Sequence, residues 1–228
     1  MLTELRWLGL EVDDVETTRS FYAKHLGMEV RSTSQEHLRL AAGRHDLVLR
    51  RPGAIPRGGV HTHYAMAVSR GEYDSRFESL SESFEREEHR FGEARSLYFD
   101  DSAGNCVELG ERADTGKGID HIFEVVLEVL DLDRSTAFYR DLGFEIVDRG
   151  DKRPRVRLAG PVELELWEPH LGLANARGGV HVDLGFAASD PVAAVDPVDD
   201  RIRERVELDS GVRVRDPDGH SLTVLPTA

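Results

Sequence analysis

The chain has 228 residues, with 43 acidic against 29 basic groups and a formal net charge of −14. That balance argues against nucleic acid as a partner, because phosphate contact favours a positive surface. No stretch approaches the roughly 20 apolar residues of a membrane helix, and the N-terminus shows no charged-then-apolar leader, so a cytoplasmic protein is expected. A single cysteine, Cys106, excludes an intrachain disulfide framework and a Cys-rich zinc module. Lysine occurs only at positions 24, 117 and 152, and arginine supplies the other 26 basic groups. An acidic, lysine-poor surface of this kind fits a halophilic origin, and assigns the net charge to solubility rather than to a ligand.

In chain order, Leu5–Val12 alternates like a strand and leads into a helix that Asp14 can cap and Gly27 can end. Three short strands are expected near Met28–Ser32, His37–Ala41 and Asp46–Arg50. The scheme restarts with a strand at His61–Val68, a helix around Tyr73–Ser83, and strands at Arg95–Phe99 and Cys106–Leu109 about a turn at Ser102–Asn105. After a linker at Ala113–Gly118, a third unit has a strand at Ile122–Val129 and a helix at Leu132–Asp141. Strands near Phe144–Val147, Arg155–Leu158 and Val162–Trp167 complete it. The fourth has a strand at Val180–Ala187, a helix near Pro191–Ile202 interrupted by Pro197, and strands at Val206–Leu208, Val212–Arg215 and Ser221–Leu225.

The chain is written twice. Arg57-Gly-Gly-Val-His-Thr-His returns as Arg177-Gly-Gly-Val-His-Val-Asp, Phe21-Tyr22 as Phe138-Tyr139, and Asp101-Ser-Ala-Gly104 as Asp216-Pro-Asp-Gly219. The three landmarks keep their order at offsets of 120, 117 and 115. Two homologous domains follow, at 1–112 and 118–228. The run Glu128-Val-Leu-Asp131-Leu-Asp-Arg-Ser-Thr-Ala-Phe138-Tyr139, followed by Gly143, and the last turn Asp216-Pro-Asp-Gly219 resemble the vicinal oxygen chelate superfamily of glyoxalases, bleomycin-resistance proteins and extradiol dioxygenases. The resemblance implies an α+β fold of four tandem βαβββ units, paired into two cups of curled sheet with helices outside and a site inside.

Strand alternation sorts the faces. Tyr64, Met66 and Val68 form a large apolar face, which leaves His61, His63, Ala65 and Ala67 pointing into a cup. The same parity turns Trp7, Gly9 and Glu11 inward, and also Glu124, Val126 and Glu128. The resemblance implies metal ligands on the first and last strand of each unit. The matching positions are Trp7 and Val48 in the first unit, His63 and Glu108 in the second, Glu124 and Glu165 in the third, and Asp183 and Thr223 in the fourth.

With the halves taken as the cups, the N-terminal cup combines His63 and Glu108 with Trp7 and Val48. His63, Glu108 and His61 then form a two-histidine, one-carboxylate set for a divalent metal, with Fe, Zn, Mn and Ni all fitting. Glu108 and Glu11 are the candidate catalytic groups, with Glu11 as a base. The C-terminal cup gathers Glu124, Glu128, Glu163, Glu165 and Asp183 with His181. Either a hard divalent cation joins Glu124, Glu165, Asp183 and His181, or, in the favoured reading, Arg155, Arg157, Arg213 and Arg215 neutralise the face as a structural ladder. A small-molecule enzyme of the glyoxalase or dioxygenase type is expected, with one cup active and the other degenerate. The alternative is a metal-free binding protein of the bleomycin-resistance kind. A homodimer is compatible with either.

Overall fold

The computed structural model describes residues 1–51, 63–81, 85–112, 116–150, 153–168 and 182–227. Unit one comprises β1 (Leu2–Glu11), α1 (Val15–Leu26), β2 (Val30–Thr33), β3 (His37–Ala42) and β4 (His45–Arg50). Unit two comprises β5 (His63–Ser69), α2 (Arg70–Ser81), β6 (Glu87–Phe91), β7 (Ala94–Asp100) and β8 (Cys106–Arg112). Unit three comprises β9 (Ile119–Glu128), α3 (Leu132–Asp141), β10 (Glu145–Arg149), β11 (Arg155–Ala159) and β12 (Glu163–Trp167). Unit four comprises β13 (Asp183–Ala188), α4 (Pro191–Val195), a 3₁₀ turn at Asp196–Arg201, β14 (Glu204–Leu208), β15 (Gly211–Arg215) and β16 (Ser221–Pro226). The expected α+β architecture of four βαβββ units is present.

Local chemistry sets the helix ends. The Asp14 carboxylate accepts from the Glu16 and Thr17 amides, and Gly27 closes α1 at φ +67°, donating its amide to the Tyr22 carbonyl. Asp131 and Asp190 cap α3 and α4 in the same way. The expected helix at 191–202 is shorter than its pattern, because Pro197 has no amide proton to continue it and the chain tightens into the 3₁₀ turn.

The pairing of units differs from the expectation that each sequence half makes its own cup. One sheet runs β14-β15-β16-β13-β1-β4-β3-β2 and joins unit four to unit one; the other runs β10-β11-β12-β9-β5-β8-β7-β6 and joins unit three to unit two. Within each unit the first strand lies parallel to the last, and antiparallel pairs β1/β13 and β5/β9 fuse the units. The first seam is chosen by size. Trp7 lies over Gly185, where an added Cβ would sit 2.1 Å from the indole. Between the sheets, Arg44 donates its amide to the Asp120 carbonyl at 3.0 Å, and Ile122 donates to His45 Nδ1 at 3.2 Å. Burial, then the neighbouring Arg44 charge, hold the His45 imidazole down to about 4, so it stays a neutral acceptor there.

Bonds from helix to turn run the other way and lock each half together. Tyr22 of α1 donates to Asp101 at 2.6 Å and also touches the Tyr64 hydroxyl; Tyr139 of α3 donates to Asp216 at 2.8 Å. Asp101 and Asp216 each gather the amides of their own tight turn. Sheets therefore join units one with four and two with three, while buried tyrosines join one with two and three with four.

Candidate metal centre

The swap brings His63, Glu108, Glu124 and Glu165 into one cup, all from first or last strands. β5 places His63 at its start, beside Cys106 of β8 and Val126 of β9. Glu108 lies opposite Tyr98 of β7, and Glu165 lies opposite Arg157 of β11. His63 Nε2 is 3.3 Å from Glu108 Oε2 and 4.0 Å from Glu124 Oε1. The ligand atoms of these three residues lie within 4.8 Å of one another, and all three side chains are buried.

Each member is held from behind. Ser96 donates to Glu108 Oε1 at 2.6 Å. The Tyr98 ring stacks on the His63 imidazole at 5.5 Å and 13°, and His63 Nδ1 lies 3.2 Å from the Cys106 sulfur. Burial raises the Glu108 carboxyl, but the bonds from His63, Ser96 and Tyr98 outweigh it and bring the group below its usual range. Glu124 goes the opposite way. Burial and then the charge of Glu165 push it up to about 8, against the pull of Arg157. Cys106 is pushed up to about 12, by burial first and Asp100 next, so its thiol is no nucleophile at neutral pH. Glu165 accepts from Arg155, Arg157 and Trp167 Nε1 at 2.9, 3.1 and 2.7 Å. Tyr98 and Cys106 also line a cavity of about 730 Å³, together with Glu87, His89 and Asp100.

Among the described residues, the other cup has no comparable set. Trp7 and Val48 occupy two ligand positions, and Asp183 is consumed by structure. It accepts from Thr223 Oγ1 at 2.9 Å and Trp7 Nε1 at 3.4 Å, and pairs with Arg50 at 2.9 Å.

Several expectations change. His63 does not share a cup with Trp7 and Val48, and Glu124 and Glu165 do not share one with Asp183. Glu11 sits on β1 opposite Arg50, in the other sheet, so it is not brought to His63 or Glu108 as a base. His61 and His181 lie outside the described residues. Strand alternation assigns Glu124 to the first strand of unit three but does not pair it with His63. The available signal was chemical: only units two and three, taken together, put a metal-binding side chain at all four positions.

Glu124 gives a sharp pH signature in the metal-free protein. Its carboxyl is protonated in the fold to about pH 8, yet in the unfolded chain it ionises above its ordinary value of 4.5. Unfolding therefore releases a proton between these values, so its stability contribution is full below pH 4.5 and is lost as pH rises through 8. Urea unfolding in the presence of a chelator should show a fall of a few kcal/mol across that window, which Glu124→Gln should largely remove. Equal slopes in both proteins would show that the carboxyl is not desolvated.

The sequence pattern of the Glyoxalase/Bleomycin resistance protein/Dioxygenase superfamily matches residues 4–109, and a bleomycin resistance protein-like N-terminal pattern matches residues 122–150. The two patterns fall on opposite halves of the repeat. The chain belongs to this superfamily. Its fold is similar to that of glyoxalase I from Zea mays, with 21% identity, TM-score 0.70, and 98% of this chain and 92% of that one covered. It is also similar to a candidate dioxygenase from Bacillus subtilis, with 16% identity, TM-score 0.73, and 99% and 85% covered. At these identities the likeness is one of fold. No curated protein matches the chain by sequence. Among the described residues, no helix is long and apolar enough to cross a membrane.

Proposed function

We propose that the protein is a metal-dependent enzyme acting on a small molecule, of the glyoxalase or dioxygenase type, with its centre at His63, Glu108 and Glu124. The observation that carries this reading is the convergence of one imidazole and two carboxylates, buried within 4.8 Å of one another. One nitrogen and two hard oxygens suit a borderline divalent ion such as Fe, Zn, Mn or Ni, and members of the superfamily use divalent metals. Such an ion would supply Lewis acidity, polarising vicinal oxygens of the bound substrate.

The chain's own residues do the rest. Ser96 fixes the Glu108 carboxylate, and Tyr98 fixes the plane of the His63 ring. Glu124, held near pH 8, carries a proton on its carboxyl at neutral pH and gives it up when a cation enters. The 730 Å³ cavity beside Tyr98 and Cys106 is of a size that takes a small organic molecule.

A second reading has its own support. Arg155 and Arg157 already pair with Glu165 and Glu124, so the cup can be neutral without metal and hold a ligand non-catalytically. Protein stripped with a chelator should be assayed with thiol-hemiacetal and catechol substrates, then again after Fe, Mn, Ni or Zn is restored. Turnover that returns with metal supports the enzyme. Ligand-induced thermal stabilisation that is indifferent to chelator, with no turnover, supports the binder.

A further inference from the structure

Arg157 stands where the metal reading would have a competitor. Its guanidinium bridges two ligand-position carboxylates: NH2 is 3.0 Å from Glu124 Oε2 and 3.0 Å from Glu165 Oε1, and Nε donates to the same Glu165 oxygen at 3.1 Å. Glu124 is thereby divided, with one oxygen facing His63 and the other facing the guanidinium. Glu165, the fourth ligand position, is withdrawn altogether. One oxygen takes Arg155 and Arg157, and the other takes Trp167 Nε1.

The two arginines are not equivalent. Arg155 also pairs with Asp148 at 2.7 Å, whereas among the described residues Arg157 forms ion pairs only with the ligand-position carboxylates Glu124 and Glu165. Both carboxylates are nearly buried, at 7% and 6% side-chain exposure, while Arg157 is 37% exposed and can swing outward. The carboxylates are thus the fixed partners and the cation is the replaceable one.

We propose that Arg157 is a built-in competing cation, which holds Glu124 and Glu165 in the metal-free cup and which a divalent ion must displace to take them. A metal and a guanidinium sharing the carboxylate of Glu124 repel each other in a poorly solvated cup. Removing the guanidinium takes a positive charge from beside Glu124 and leaves Glu165 held only by Arg155 and Trp167, and both changes favour the metal. The opposite arrangement is an arginine that orients Glu124 from outside the coordination sphere, whose loss would weaken binding. The sign of one measurement separates the two.

This inference rests on the metal reading, and the test keeps the two apart. Wild type, Arg157→Gln, Arg157→Lys and Arg155→Gln would be stripped with chelator, shown by thermal melting to be folded, and titrated calorimetrically with Ni²⁺ alone. Arg157→Met, which keeps an apolar stem over the sheet, replaces Arg157→Gln if the latter does not fold. The expected result is binding tighter by roughly tenfold or more for Arg157→Gln, near wild type for Arg157→Lys, and a smaller gain for Arg155→Gln. Wild type that binds while Arg157→Gln binds equally or more weakly overturns the competing cation and leaves the metal centre standing. Silent wild type with a binding Arg157→Gln confirms the competition and removes the metal from the native function. Silence in every variant overturns both.

Discussion

Changing His63 to alanine is expected to remove bound metal, with affinity for Ni²⁺ or Zn²⁺ falling roughly 100-fold or more. His63 is the one nitrogen donor of the cluster and the ligand that stands between Glu108 and Glu124, 3.3 and 4.0 Å from them. Without it, two carboxylates remain, one already bonded to Ser96 and the other to Arg157. The matched substitution Asp183→Ala is the control. Asp183 lies at the equivalent strand position of the other sheet, but Thr223, Trp7 and Arg50 already consume its oxygens. Its loss should lower stability, by stranding the Arg50 guanidinium, and leave metal content unchanged. Metal content by mass spectrometry on untagged protein reads both variants at once. Metal that survives His63→Ala and disappears with Asp183→Ala would move the centre to the other cup.

Local chemistry was legible in the sequence, and long-range pairing was not. Asp14, Gly27 and Asp131 announce their helix ends because a cap is a contact between near neighbours, and α3 runs over Leu132–Asp141 as its pattern requires. Parity placed Tyr64, Met66 and Val68 under the helices, where all three are fully buried, and turned His63 to the opposite face. The strand at Glu87–Phe91 escaped notice for the complementary reason. It is an edge strand with every residue exposed, so burial imposes no alternation on Glu-Glu-His-Arg-Phe.

Which unit pairs with which is a different kind of question. Alternation tells which face of a strand a residue occupies, and is silent about the neighbouring strand. Repetition suggested halves that close on themselves, and this carried Glu124 into the wrong cup and Glu11 into the wrong company. What chooses the partner is side-chain volume at the seams. Trp7 needs a glycine opposite and finds it at Gly185, while Phe123 of β9 packs against Gly110 of β8, where a Cβ would come within 2.7 Å of its ring. Both glycines stand in the sequence, but each has meaning only beside a residue more than ten positions away. The ligand positions carry the same lesson. Taken by halves they mix metal-binding with inert side chains, and taken as units two and three they are uniformly His or Glu.

That account of the seam makes Gly185→Ala a severe test. The new methyl would lie 2.1 to 2.4 Å from three atoms of the Trp7 indole. The indole has little room to retreat: it is 8% exposed, Arg39 lies over it at 5.0 Å, and its Nε1 reaches Asp183. Overpacking of a buried aromatic that cannot move costs about 3 kcal/mol, which in a chain of this size lowers the melting temperature by roughly 6–12 °C. The same substitution at Gly71 should do the reverse. That residue lies in α2 with nothing within 4 Å of an added Cβ, so alanine there should stabilise by a few tenths to about 1 kcal/mol. Trp7→Leu in the Gly185→Ala background should restore part of the loss, because the smaller side chain yields the space the methyl needs. Additive losses from the two changes would mean that Trp7 and Gly185 do not share a contact, and with that the pairing of unit one with unit four would fail. Through the Gly185→Ala and Trp7→Leu variants, single and combined, Ni²⁺ binding should be unchanged, since the metal centre is built from units two and three and the seam from one and four.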